Sequence, residues 1–337
     1  MEKSYRFRIY PDEAQREQIE KTIGCCRYVY NHFLAERIEA YKNGGGQITR
    51  YEQSGRLTLL KKELEWLSEA DARALQCALC DLERAYRNYY DGLKKGAKTG
   101  YPKYKSKREK RGSYRTVGGG KIEIYPNKIK LMKLGYVECV TTREVSGRIL
   151  SATVTRTAAG GYYVSVCCEE GDEAAREKTG AAIGVEAGGR GEIYTSDGEI
   201  YGSSKKLEKT ERQIRRAQRA LTRKPRGGRN REKARLRYAR LHERLANQRR
   251  DALQKMTTQL TRRNSVIAAR SQGARELAAM RGEASRTGLM AWHEFMRQLG
   301  YKSRWRGREL LRAEMDDDEK SREGTKRTAG ARRNDTR

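Results

Sequence analysis

Residues 181–201 read AAIGVEAGGRGEIYTSDGEIY. AAIGVEA is a short apolar run ended by glycines, and two further runs flank Ser196-Asp197-Gly198, residue types that turn a chain. The pattern predicts a strand, a connection and a two-stranded hairpin. Two long basic stretches follow, about 205–223 and 230–262, split by KPRGG at 224–228. In the second, Ala234, Tyr238, Leu241, Leu245, Ala252, Met256 and Leu260 recur at helical spacing. That predicts an antiparallel helical hairpin over 205–262. A short apolar strand at 265–269, a helix near 289–299 and a strand near 308–313 complete the pattern. Strands interleaved with helices specify an α/β sheet. The polar linker EEGDEAAREKTG at 169–180 precedes it, so this domain is expected to span 180–313.

Towards the amino terminus the grammar changes. Residues 121–168 contain KIEIY, KIKLM, YVECV, ILSATVT and YYVSVCC, separated by glycine, asparagine and charged turns. SYRFRIY at 4–10 alternates polar or basic with apolar side chains up to Pro11, as a half-buried strand with a basic outer face does. These strands suit a small β-barrel of the oligonucleotide-binding type, built from 1–11 and 99–178. Between them lies a helical insertion, 12–98. Asp12 is its predicted first cap, Asn43-Gly44-Gly45-Gly46 stops its first helical pattern, and further helices fit 56–67 and 71–95. Residues 314–337 show no apolar period and read as a disordered tail.

The chain has 337 residues, 74 Lys and Arg against 44 Asp and Glu, and a net charge of +30. A balance this basic points to a polyanionic partner. No run of 18 apolar residues exists, which excludes a membrane-spanning helix and membrane partners, and the opening MEKSYRFRIYP does not read as a signal peptide. Seven cysteines scattered over the chain do not form a secreted disulfide framework. The expected location is a prokaryotic cytoplasm, at the nucleoid. Residues 205–263 alone hold 22 Lys and Arg against 5 Asp and Glu. Too few acids are present for the helix-surface pairing that a merely solvated hairpin needs. Arg216, Arg219, Arg223, Arg229, Arg231, Arg235 and Arg249 are therefore nucleic-acid contact candidates. In the first half the candidates are Arg6, Arg8, Lys103, Lys105, Lys107 and Arg115. The last four lie in or beside a segment where Tyr101, Tyr104 and Tyr114 alternate with lysines and arginines. That segment reads first as a base-stacking, phosphate-holding surface, and a flexible basic linker would look much the same.

The order of motifs resembles one family. YRFRIYP at 5–11, GCCRYVYNHFL at 24–34, EWL at 65–67, ALQ at 74–76 and YPKYKSK at 101–107 are similar to the amino-terminal half of TnpB proteins. SDGE at 196–199, NREKARLRYARLHERLANQRRDALQK at 230–255 and AWHEFMRQLGYKSRWRGREL at 291–310 resemble its nuclease half. These are transposon-encoded, RNA-guided nucleases related to type V CRISPR effectors. The resemblance implies a multi-domain α/β protein: a wedge β-barrel with a helical recognition insertion, then a RuvC-like domain of RNase H fold carrying the helical hairpin. It also implies a guide RNA and a double-stranded target DNA as partners, with the protein reading only a short motif beside the target.

The family's nuclease centre is a carboxylate cluster that holds two divalent metals about 4 Å apart. Its first ligand is Asp in a GxDxG strand. Here Gly184-Val185-Glu186-Ala187-Gly188 places Glu186 there, with an added methylene. Its second is Glu at the end of an apolar strand, and ungapped counting back from Trp292 puts Arg270 at that position. Glu276 substitutes only if strand and loop are re-registered. Its third follows a four-cysteine zinc ribbon, yet no cysteine occurs after Cys168, and Asp316, Asp317 and Asp318 sit in the polar tail. The expectation is therefore a zinc-free protein with no cofactor, no catalytic or metal-binding residues and a lost Mg²⁺ site. It would be a nuclease-dead relative that represses transcription by occupying promoter DNA. The alternatives are an active TnpB-type endonuclease of a transposon and a decayed gene fragment. Cys77-Ala-Leu-Cys80, the lone histidines and the glycine runs carry no chemistry on this reading.

Overall fold

The computed structural model describes residues 2–97, 99–118, 121–141, 143–171, 180–188, 192–201, 205–270 and 283–313. The chain divides into two units, Met1–Gly171 and Asp172–Arg337.

The first unit is organised by β1 (Glu2–Tyr10). Alternation along it buries Phe7 and Ile9 and leaves Arg6 and Arg8 exposed, the period-2 consequence of a pleated strand. Around it stand β2 (Gly112–Val117), β3 (Glu123–Ile124), β4 (Lys128–Leu131), β5 (Gly135–Val140), β6 (Arg148–Arg156) and β7 (Tyr162–Glu169). The seven strands form one antiparallel sheet in the order β2-β6-β7-β1-β5-β4-β3. Among the described residues no ladder joins the edge strands β2 and β3.

Three helices follow β1 in the chain: α1 (Glu13–Lys42), α2 (Arg50–Glu63) and α3 (Ala72–Lys94), with a 3₁₀ turn at Glu65–Glu69. Asp12 does cap α1, in a reciprocal box with Gln15. The Gln15 amide also donates to the Tyr136 carbonyl at 2.9 Å and so ties the helix start to β5. The helix expected over 56–67 begins earlier, at Arg50, because Thr49 and Glu52 form a second capping box. It also ends earlier, giving way to the 3₁₀ turn. Buried Arg37 bonds Gln53 at 3.0 Å and Glu83 at 2.8 Å, joining all three helices.

The second unit holds β8 (Ala182–Ala187), β9 (Ile193–Thr195), β10 (Ile200–Tyr201), α4 (Lys205–Thr222), α5 (Arg229–Arg263), β11 (Val266–Arg270), a last helix α6 (Glu283–Arg306) and β12 (Glu309–Ala313). Its sheet order is β10-β9-β8-β11-β12. The first three strands form the expected antiparallel meander, and β11 runs parallel to both β8 and β12. Ile183, Val185, Ala187, Ile267 and Ala269 face Leu253, Met256 and Leu260 of α5 and Trp292, Phe295 and Leu299 of α6. The α5–α6 contact also has a polar seam. Lys302, 5% exposed, donates to the Gln254 carbonyl at 2.8 Å and to the Thr257 and Thr258 hydroxyls at 2.7 and 2.9 Å. A buried ammonium is tolerable only when its donors are engaged in this way.

Asp71 links a helix end to the sheet. It is buried, caps α3 through the Arg73 amide at 3.0 Å and accepts from the buried Thr116 hydroxyl on β2. Asp71→Ala removes a cap and strands that hydroxyl, so it should destabilise the first unit by about 2–4 kcal/mol. Urea denaturation checks this, as a lower midpoint at unchanged slope.

Candidate nucleic-acid interface

The parallel ladder between β8 and β11 settles where the two altered ligand positions stand. Arg270 is the register partner of Glu186, and Glu186 is the register partner of Tyr194 on β9. Register partners share a face, and the helices cover the face of Val185 and Ala269. Tyr194, Glu186 and Arg270 therefore form one row on the opposite face, across three adjacent strands. The row lies at the carboxyl ends of β8 and β11, the edge where open α/β sheets bind ligands. Glu186 is half-buried and Arg270 exposed. A Cβ on Gly188 would stand 2.5 Å from Cε2 of Tyr194, so the ring lies against that backbone and a larger residue there would make it shift.

A two-metal centre needs several converging carboxylates. Among the described residues no group of three or more His, Cys, Asp or Glu side chains is placed to hold a metal ion, and the row sets a guanidinium beside its one carboxylate. The described donors do not by themselves fit such a pair. Glu276, Asp316, Asp317 and Asp318 lie outside the described residues, as does the expected tail.

The α4–α5 hairpin forms, with Ile214, Ala217 and Leu245 buried. Its candidate arginines divide by what they touch. Arg216, Arg219, Arg223 and Arg229 are exposed. Arg231 instead donates to the Leu221 and Lys224 carbonyls at 3.1 and 2.6 Å, closing the turn between the helices. Arg249 pairs with Glu211 of α4 at 2.7 Å, and Arg235 grips Glu232 at 2.8 and 2.6 Å. Partial desolvation, then the charge of Arg249, pushes the His242 imidazole pKa down.

In the first unit, the Arg6 guanidinium lies 4.1 Å from the Tyr163 ring centre and that of Arg8 5.3 Å from Tyr10. The basic tyrosine segment is anchored. Asn31 of α1 exchanges two hydrogen bonds with the Lys105 backbone, at 2.9 and 2.8 Å, and the Lys105 ammonium sits 4.1 Å over Tyr30. The Tyr101 hydroxyl meets that of Tyr86 at 2.8 Å. Lys103, Tyr104 and Lys107 remain exposed on this strap. Arg115 is half-buried, 3.8 Å from Asp81. Cys77 is packed into α3, where burial pushes its thiol up, and Cys80 accepts from Arg50 at 3.3 Å. Sequence reasoning passed over Tyr194. Its only signal was an aromatic residue alternating with two apolar-face positions, followed by a turn.

No helix among the described residues is long and apolar enough to cross a membrane. Residues 1–46 match the family described as "Helix-turn-helix domain" of IS605 OrfB proteins, and 165–269 match its "Probable transposase" domain. A Streptomyces pristinaespiralis protein is 31% identical over 324 residues, covering 92% of this chain and 77% of its own length. InsQ of Escherichia coli K12 is 28% identical over 325 residues, covering 91% and 79%. Both bear the name "Putative RNA-guided DNA endonuclease". A Cas12f1 chain, solved with sgRNA and target DNA, aligns over 93% of this chain and 89% of its own at 10% identity and a TM-score of 0.40. The relatives correct one expectation. Lost nuclease activity was inferred from an altered, a charge-reversed and a missing ligand position, whereas proteins similar along more than nine-tenths of this chain are named as endonucleases. Glu186 keeps a carboxylate at the strand end, so the change at that position is one of side-chain length and not of charge. This chain belongs to the TnpB family of transposon-encoded proteins.

Proposed function

We propose that this chain is an RNA-guided DNA endonuclease of the TnpB type, which holds a guide RNA and a double-stranded target and reads a short motif beside that target. The observation that carries the reading is the α4–α5 hairpin. Its 22 basic residues over 205–263 meet only 5 acidic ones, and Arg216, Arg219, Arg223 and Arg229 stand exposed on it. Such a surface neutralises phosphates along a backbone without reading bases. Sequence is then read by pairing between guide and target. The names of the two relatives support cleavage as the outcome of that binding. Glu186 supplies a carboxylate at the carboxyl edge of the sheet.

Purified with its guide, the protein should cut a matched duplex in buffer containing Mg²⁺ and leave a mismatched duplex whole. Denaturing gels of end-labelled target read this directly. A guide-loaded complex that binds the matched duplex and cuts neither strand overturns the endonuclease reading.

The arginines should separate into two classes. Arg216→Gln and Arg223→Gln should each leave unfolding within about 0.5 kcal/mol of wild type. Each should lower the dependence of log affinity on log salt by about one ion on duplex nucleic acid. Arg231→Ala, which strips two carbonyls at the hairpin turn, should instead destabilise the second unit by about 1–3 kcal/mol. Salt titrations of binding and thermal unfolding of the same variants give both numbers.

A further inference from the structure

We infer that Asn31 is a positioning residue for the basic strap of the first unit. It fixes the strap's backbone so that Lys103 and Lys107 meet phosphates of a nucleic-acid backbone, while Lys105 between them is an anchor and not a contact. The inference rests on the nucleic-acid reading above and adds to it a gripping surface outside the hairpin.

Residues 101–107 belong to no strand or helix. A chain of that kind left free would lose conformational entropy each time it bound a ligand. Here it is fastened beforehand. At its start Thr99 lies on Gly92 of α3, where any Cβ would collide with it, and the Thr99 hydroxyl donates to the Tyr89 carbonyl at 3.3 Å. The Tyr101 ring meets Tyr89 edge-on at 5.2 Å, its hydroxyl pairs with that of Tyr86, and Pro102 is buried beside it. Further along, the Asn31 amide nitrogen donates to the Lys105 carbonyl at 2.9 Å and its oxygen accepts from the Lys105 amide at 2.8 Å. One side chain thus satisfies both backbone groups of one residue, as a strand partner would. Ser106 then accepts from the Arg108 amide at 3.1 Å, in the turn that ends the strap.

The same attachments divide the lysines. The Lys105 ammonium lies 4.1 Å from the ring centre of Tyr30, a buried residue of α1. Tyr30 and Asn31 are neighbours in sequence, so one point on α1 holds both the side chain and the backbone of Lys105. Lys103 and Lys107 are exposed on either side of it, and among the described residues neither has an ion-pair partner. Two solvated cations on a fixed backbone suit an anion that recurs along a strand, and each can release a counterion there. Contacts of this kind set register and orientation and read no bases. What Asn31 contributes is preorganisation: the lysines are placed before the polyanion arrives.

The test uses the full-length protein without guide, and a DNA duplex of arbitrary sequence in EDTA, so that neither pairing nor cleavage contributes. Asn31→Ala should weaken binding about fivefold or more, because the freed strap then loses entropy on binding. Lys103→Gln and Lys107→Gln should each lower the salt slope by about 0.9, and Lys105→Gln should leave the slope unchanged. Once Lys103→Gln and Lys107→Gln are combined, adding Asn31→Ala should have no further effect, since the groups it acts through are gone. A merely structural role for Asn31 would weaken binding equally in both backgrounds. Thermal unfolding of each variant identifies misfolding, and the lysine variants, all at exposed positions, keep the test open if Asn31→Ala unfolds the protein. Wild-type affinity in folded Asn31→Ala, equal losses in both backgrounds, or a slope lowered by Lys105→Gln as much as by its neighbours overturns the inference. Failure of guided cleavage with these effects intact would sink only the endonuclease reading.

Discussion

The parallel pairing of β8 with β11 is the constraint on which the second unit depends. The Ser265 amide donates to the Ala181 carbonyl at 2.8 Å, and five residue pairs then run in step to Glu186 and Arg270. A slip of one residue would exchange the faces of β11. Ile267 and Ala269 would leave the helices, and Arg270 would be driven into the apolar layer of Trp292 and Phe295. Burying an unpaired guanidinium there costs several kcal/mol, so register and site are enforced by one interaction. The core that stabilises the sheet is thus also what sets the tyrosine, carboxylate and guanidinium in a line.

Against that dry core stands a hairpin whose composition opposes its own folding. Seventeen surplus positive charges over 205–263 repel one another at low salt. The folded hairpin answers with a narrow seam at Ile214, Ala217 and Leu245 and with a few engaged arginines. Arg249 crosses to Glu211, and Arg231 satisfies carbonyls that a helix end otherwise leaves open. The arginines that brace the hairpin are therefore distinct from those that charge its surface. A polyanion lying on the exposed set would relieve the repulsion, which makes binding and hairpin stability thermodynamically linked.

Much of this architecture was legible in the sequence, and the reasons for the rest are local. Asp12, the Ser196-Asp197-Gly198 turn and the VIAA strand are encoded by neighbours, so chain order suffices to read them. The early start of α2 depended on Thr49 pairing with Glu52, a capping box inside a stretch that otherwise reads as loop. The division among the hairpin arginines was legible only in part: Arg235 meets Glu232 three residues earlier on its own helix, whereas Arg249 meets Glu211 only through the packing of two helices. Nor was the fixation of the basic strap, which hangs on Asn31, 74 residues away in sequence from Lys105. Inactivity was misread for a different reason. A metal centre is a property of several carboxylates in space, and three positions matched along a chain do not place those carboxylates.

Charge and shape are separated in the second unit. Exposed hairpin charge acts over a Debye length of about 8–10 Å and is screened by salt. The row of Tyr194, Glu186 and Arg270 is fixed instead by ladder register, which salt does not alter. α5 runs from the basic turn directly into β11, so the charged hairpin and the strand that carries Arg270 are covalently continuous. The register that keeps Ile267 and Ala269 in the core therefore also fixes where the hairpin's last helix ends.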